Sequence, residues 1–372
     1  MHIRSKLNML FLGRAVFVTT ILSVFGACAN ISEKPTPANP AVTLGGEQVP
    51  SQVSSQAFSF IVMGDTPYDD FGNNREKGTS KDQKMLADAV KHIKTDIKPP
   101  FVIHVGDTKK GNTKCSEYIY DRFAALVKQL APIPVMYTPG DNEWVDCDRK
   151  GDSELAKLTY IRKRFYQTLP VKKIGNSPEF GYVSQPEQVE NASWYYNQVQ
   201  FATLHIPGTN NARNWVTADD LMVAKTSADL RDAANRSWLD TVFRAAQDNG
   251  ARAVIISIQA DIIATENNDP SIVGVPCQSA YDNGAQICDG FADFRKALAI
   301  KSVEFQHPVL LIHGDTPAFS LNQSFLENSA PNLWRLNGTG DGIADVTHVK
   351  VNLAQAVPFS ASGLLTGMVP DS

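Results

Sequence analysis

The chain has 372 residues, 43% of them hydrophobic and 20% charged, an ordinary globular balance with ample material for a core. The formal net charge of −4 comes without a long basic run. That excludes a nucleic-acid-binding surface, because backbone phosphates require clustered Lys and Arg.

Arg4 and Lys6 open a segment whose apolar stretch, Ala15 to Phe25, is too short to span a bilayer as a mature helix. Phe25-Gly26-Ala27-Cys28 then places small residues before a cysteine. Residues 1–28 read as a signal peptide of the bacterial lipoprotein type, with Cys28 lipidated and holding the chain to a membrane. Cleavage after Ala29 is the alternative, and either route exports the chain to the cell envelope. From Ala29 to Gln56 the residues are polar or Pro, Ser and Gly, a tether with little to bury. The folded domain is expected over 57–355, followed by a tail, 356–372.

Strands and helices then alternate. FSFIVM is a strand, Asp82 to Ile97 a helix, FVIHV a strand, and Ser116 to Leu130 a helix. Ile133 to Tyr137 is a third strand and Ser153 to Leu169 a third helix, with Ser116 and Ser153 as N-caps. SWYYN and QFATLH flank Val199 or the Asn197-Gln198 pair as a hairpin. A helix from about Ser227 to Asp248 carries Leu230, Ala234, Trp238, Leu239 and Val242 inward and stops at Gly250. AVIISI, a polar loop, a helix from Phe291 to Val303, PVLLIH, and strands near LWRLN and THVKVNL complete the chain. The Gly338–Gly342 run reads as a hairpin turn rather than a phosphate cradle, because a strand follows it.

Without Cys28, the cysteines are Cys115, Cys147, Cys277 and Cys288, an even number suited to an oxidising compartment. The favoured pairs are Cys115 with Cys147 and Cys277 with Cys288. A zinc site lacks C-x-x-C spacing.

Gly64-Asp65, Gly106-Asp107, Gly140-Asp141 and Gly314-Asp315 each close an apolar strand. Ligands of α/β sheets bind beyond the carboxyl ends of strands, so these aspartates are expected in one crevice. Clustered carboxylates repel unless a cation sits among them, and hard divalent ions take oxygen ligands.

The segments Gly64-Asp65-Thr66-Pro67-Tyr68, His104-Val105-Gly106-Asp107, Thr138-Pro139-Gly140-Asp141-Asn142-Glu143-Trp144, Gln259-Ala260-Asp261 and His313-Gly314-Asp315-Thr316 resemble, in order and spacing, the calcineurin-like metallophosphoesterases. The resemblance runs from about Ser59 to Val351. It implies an α/β fold, an αββα sandwich of two mixed β-sheets flanked by helices. It implies that Asp65 binds a first metal and that Asp107 bridges two. Asp141 stands in the place of a metal-binding Asn, Asn142 in that of the His that protonates the leaving group, and Gln259 in that of a metal-binding His. Asp315 and Pro317 fall on the two His of the last element, and Pro67 on the His of the first.

With every expected histidine missing, the shell is all oxygen: Asp65, Asp107, Asp141, Gln259 and Asp315, with Asn142 beside them. Such a set favours one divalent ion, Mg²⁺, Mn²⁺ or Ca²⁺ over zinc or iron. Asn142 cannot act as a general acid, and His313, two residues before Asp315, is the nearest candidate in sequence; a strand-end histidine bonded to backbone is the alternative. His104, His205 and His348 read as core histidines, and Lys109, Lys110 and Arg75 as a solvated face, with contact to a phosphate as the alternative. Trp144 and Tyr68 either wall the pocket or pack. The expected activity is metal-dependent hydrolysis of a phosphate-containing small molecule. The alternative is a non-catalytic pseudo-phosphoesterase that binds or supports the envelope.

Overall fold

The computed structural model describes residues 57–66, 68, 81–168, 180–214, 216–263, 273–275, 277, 288–323 and 329–372. The expected signal peptide and tether, Pro67, Arg75 and most of the loop between Cys277 and Cys288 lie outside them.

The first half runs β1 (Phe58–Met63), α1 (Lys81–His92) with a wider turn Ile93–Ile97, β2 (Val102–His104), α2 (Glu117–Leu130), β3 (Val135–Tyr137) and α3 (Glu154–Ile161), extended by wider turns over 162–168. Ser153 caps α3 by accepting the Ala156 N–H, whereas Ser116 precedes α2 without a side-chain cap bond. Then come β4 (Val183–Ser184), β5 (Ala192–Tyr196), β6 (Val199–Thr203), α4 (Gly208–Ala212), α5 (Leu221–Asp248) and β7 (Ala253–Ser257). The last part is α6 (Ala292–Phe305), β8 (Val309–His313), β9 (Ser320–Asn322), β10 (Leu333–Asn337), β11 (Thr347–Val351) and β12 (Phe359–Gly363).

The strands form two mixed sheets, one ordered β12-β11-β1-β2-β3 and the other β4-β5-β6-β7-β8-β10-β9. Alternation along β1 shows how they stack. Phe60 and Val62 join Ile103, Phe201, Ile255, Leu310 and Leu336 in a core between the sheets. Ile61 and Met63 turn the other way, onto Leu86, Ile93, Phe123 and Phe165 of the helices, as a period of two requires. Trp238 and Val242 of α5 and Leu298 of α6 cover Ala202, Ile256 and Leu311 on the outer face of the second sheet. The result is the expected αββα sandwich.

Several local expectations are corrected. α5 starts at Leu221 because Asp220 caps it, accepting the Val223 N–H, and Leu230 is exposed. The Gly338–Gly342 run is not a hairpin turn: β10 pairs in parallel with β8, whereas β11 pairs with β1, so the run crosses between sheets. Residues 356–372 are not a tail outside the fold, since β12 pairs antiparallel with β11. The β5–β6 hairpin does turn on Asn197 and Gln198, both at positive φ, as a two-residue turn requires. Disulfides join Cys115 to Cys147 and Cys277 to Cys288.

Candidate metal centre

The carboxyl ends of β1, β2, β3 and β8 meet at a crevice of about 570 Å³. Asp65, Asp107 and Asp315 have φ of 51°, 56° and 76°, a left-handed conformation that few non-glycine residues adopt and that Asp tolerates better than most. Glycine makes the close approach possible. A Cβ at Gly140 would lie 2.0 Å from Asp107 Oδ1, and one at Gly314 2.5 Å from Asp65 Oδ2, so these two glycines leave room for an aspartate of another pair.

One carboxylate oxygen from each of Asp107, Asp141 and Asp315 lies within 4.8 Å of the others. Asp65 stands beside this trio, its Oδ2 accepting the Asp315 N–H at 3.2 Å. Asp107 accepts the Asn142 N–H at 3.3 Å. Burial pushes the Asp65 carboxyl up to about 7. It raises Asp107 well above the carboxylate range too, aided by the charges of Asp141, Asp65, Glu143 and Asp315. The carboxylates are thus poised to take up either protons or a cation.

Glu143 holds the loop after β3. It is fully buried and accepts the Gly140 N–H at 2.8 Å, the Thr108 N–H at 3.3 Å and the Tyr137 hydroxyl at 2.8 Å. Cys115–Cys147 ties the loop after β2 to the loop after β3.

Gln259 is brought to the trio. Its Oε1 accepts the Gly208 N–H at 2.5 Å, which fixes the amide orientation. Its Nε2 then donates to Asp107 Oδ2 at 3.1 Å and Asp141 Oδ1 at 3.2 Å, bridging the two as a donor. His313 lies apart from the crevice lining. It is fully buried, its Nδ1 lies 2.7 Å from the Gly314 carbonyl, and burial lowers its pKa. Pro317 is exposed and offers no donor.

Tyr68 does wall the crevice, donating to Asp65 Oδ1 at 3.0 Å and accepting from Asn142 Nδ2 at 3.1 Å. Burial, with the charges of Asp107 and Asp65, raises its pKa and keeps the phenol neutral. Trp144 is fully buried packing, 5.3 Å from the His205 ring. His104 is a satisfied core histidine, bonded to the Thr66 carbonyl and the Gly106 N–H. His205 is core as well, though neither ring nitrogen has a partner among the described residues.

Lys109 is not on a solvated face. It is 1% exposed, and its ammonium donates to the Lys110 carbonyl at 2.9 Å. Lys110 and Arg149 line the crevice.

Sequence reasoning missed Asp146, Asp341 and Thr209. Asp146, raised to about 7 by burial, lies on the turn after β3 and pairs with Arg149 at 2.9 Å. Asp341 comes from the run that crosses between the sheets, and the Gly-Asp pair Gly340-Asp341 is the signal that could have found it. Thr209 donates to Asp141 Oδ2 at 2.5 Å, and no sequence pattern marks it. It belongs to α4, a single left-handed turn in which Thr209, Asn210, Asn211 and Ala212 have φ between 50° and 58°, strain of about 1–2 kcal/mol per residue.

A family model described as calcineurin-like phosphoesterase matches residues 58–255, and the chain belongs to that family. Similar solved structures include the protein TT1561 of Thermus thermophilus, at 9% identity over 83% of this chain and 100% of that one, TM-score 0.35. A phosphatase from Mycoplasma pneumoniae is 10% identical over 86% and 95%, TM-score 0.37. The NAD nucleotidase NadN of Haemophilus influenzae is 12% identical over 83% of this chain and 49% of that one, TM-score 0.36; this chain spans about half its length. No curated protein matches.

Proposed function

We propose that this protein is an exported, envelope-anchored phosphoesterase that hydrolyses a phosphate-containing small molecule with one hard divalent cation, Mg²⁺, Mn²⁺ or Ca²⁺ rather than zinc or iron. The observation that carries this reading is the convergence of Asp107, Asp141 and Asp315 within 4.8 Å in a crevice that also presents Lys110 and Arg149. The donors are all carboxylate oxygens, which fits a hard ion. Asp107, Asp141 and Asp315 would hold it, with Asp65 alongside. When bound, such an ion polarises a phosphoryl oxygen and lowers the pKa of water.

The chain's own residues supply the rest. Lys110 and Arg149 give the crevice positive charge to attract a phosphate group. Neither the Asn142 amide nor the neutral Tyr68 phenol is a strong acid, so little help reaches a departing alkoxide. Esters with acidic leaving groups should react far faster than alkyl esters. Anchoring by lipid at Cys28 and export are supported by the N-terminal residue order and by the cysteine pairs.

The test is hydrolysis of p-nitrophenyl phosphate and bis-p-nitrophenyl phosphate with each cation, with chelator, and with Asp107→Asn. Turnover that needs the cation and Asp107 supports the reading. The second reading, a non-catalytic envelope protein, is favoured by the Gln259 amide, which already bridges Asp107 and Asp141. It predicts no turnover with any cation.

A further inference from the structure

We infer that Thr209 is a positioning residue of the cation site, and that the left-handed turn of α4 is held in strain so that the Thr209 hydroxyl orients Asp141. The inference rests on the cation-site reading above and adds a residue and an element to it. Thr209 is β-branched and sits at φ 50°, ψ 47°, where branched side chains are seldom found. Such conformations persist only where surrounding contacts over-determine them.

Those contacts lie on both sides of the turn. On the far side, Asn210 Oδ1 accepts the Gly290 N–H at 2.8 Å and Asn210 Nδ2 donates to the Cys288 carbonyl at 2.9 Å. Asn211 Nδ2 donates to Asp232 at 2.7 Å. On the near side, the Thr209 hydroxyl is 2.5 Å from Asp141 Oδ2 and 3.1 Å from Asp146 Oδ1. A hydroxyl has one proton to give. The nearer acceptor is Asp141 Oδ2, so the proton goes there. Gly208 completes the fit, since a Cβ there would lie 2.7 Å from Asp141 Oδ2 and 3.1 Å from Asp315 Oδ1. The turn therefore packs directly on two of the three converging carboxylates. Were it only a connection between β6 and α5, its hydroxyl would be dispensable for the ion.

Calorimetric titration of the folded protein with Mn²⁺, Mg²⁺ and Ca²⁺, on wild type, Thr209→Ser, Thr209→Val and Thr209→Gly, tests this. Thr209→Ser keeps the hydroxyl and should bind within about threefold of wild type. Thr209→Val and Thr209→Gly should bind at least about tenfold more weakly, the cost of losing a hydrogen bond to a charged group. In chelator, Thr209→Gly should melt above Thr209→Val, because both lack the hydroxyl and only Gly relieves the left-handed strain. Wild-type affinity in Thr209→Val overturns the positioning role while leaving the site. A Thr209→Gly that melts no higher than Thr209→Val overturns the strain. A wild type that binds none of the three cations overturns the cation-site reading and this inference with it.

Discussion

At the scale of single residues the molecule is dominated by carboxyl groups taken out of water. Asp65, Asp146 and Glu154 are all pushed up to about 7, burial being the largest cause for each. A group whose folded pKa lies above its unfolded value holds its proton more tightly in the folded chain. Its contribution is fully present below about pH 4 and is lost as pH rises through 7. Glu154 stands apart from the converging carboxylates and isolates the effect. Glu154→Gln should gain stability relative to wild type as pH rises from about 4.5 to about 7.5, measured by urea unfolding in chelator; a gap constant with pH contradicts the assignment. The Gly-Asp pairs were legible in sequence because strand, glycine and carboxylate are adjacent there. The role of Gln259 was not, since the direction of its amide depends on the N–H of Gly208, distant in the chain. His313 misled for a related reason. Position two residues before Asp315 says nothing of the burial of His313.

At the scale of elements, one disulfide ties together the loops that carry Asp107 and Asp141, and another closes a separate stretch between β7 and α6. Cys115–Cys147 spans 32 residues and Cys277–Cys288 spans 11. The loop-entropy account gives about 3.5–4 kcal/mol for the first and about 3 kcal/mol for the second. Replacing the first pair by Ser should lower stability more than replacing the second, read by denaturant unfolding; the reverse order contradicts it. Glu143→Ala should cost more than about 3 kcal/mol, because it strands the Gly140 N–H, the Thr108 N–H and the Tyr137 hydroxyl in the core. An unchanged melting temperature contradicts that. Strands and helices were readable from periodicity, with boundaries set by details it does not carry. Asp220 starts α5 before the apolar pattern begins, and Leu230 falls on the solvent side of a helix whose buried stripe includes polar Arg231 and Asn235. The Gly338–Gly342 run resembles a turn locally, and only the pairing of β10 with β8 and β11 with β1 shows that it crosses between the sheets.

At the scale of the whole molecule, two sheets with outer helices place strand ends from both sheets around one crevice. Order of motifs in the chain carried that much. The C-terminal boundary was not visible, because FSASG is weakly apolar. Nevertheless, β12 completes the first sheet, and Asp345 binds the Leu365 and Thr366 N–H groups that follow it. A chain ended at residue 356 should therefore melt lower than the full chain, and an equal melting temperature would return 356–372 to the status of a tail. Whether Asp107, Asp141 and Asp315 are gathered for a cation can be read from melting curves of wild type and Asp107→Asn, in chelator and in millimolar Mg²⁺, Mn²⁺ or Ca²⁺. Because a ligand stabilises the state it binds, wild type should melt higher with the ion, and Asp107→Asn should lose that gain while melting above wild type in chelator through relief of repulsion. No ion-dependent shift in wild type would contradict that gathering and leave a fold kept for binding alone.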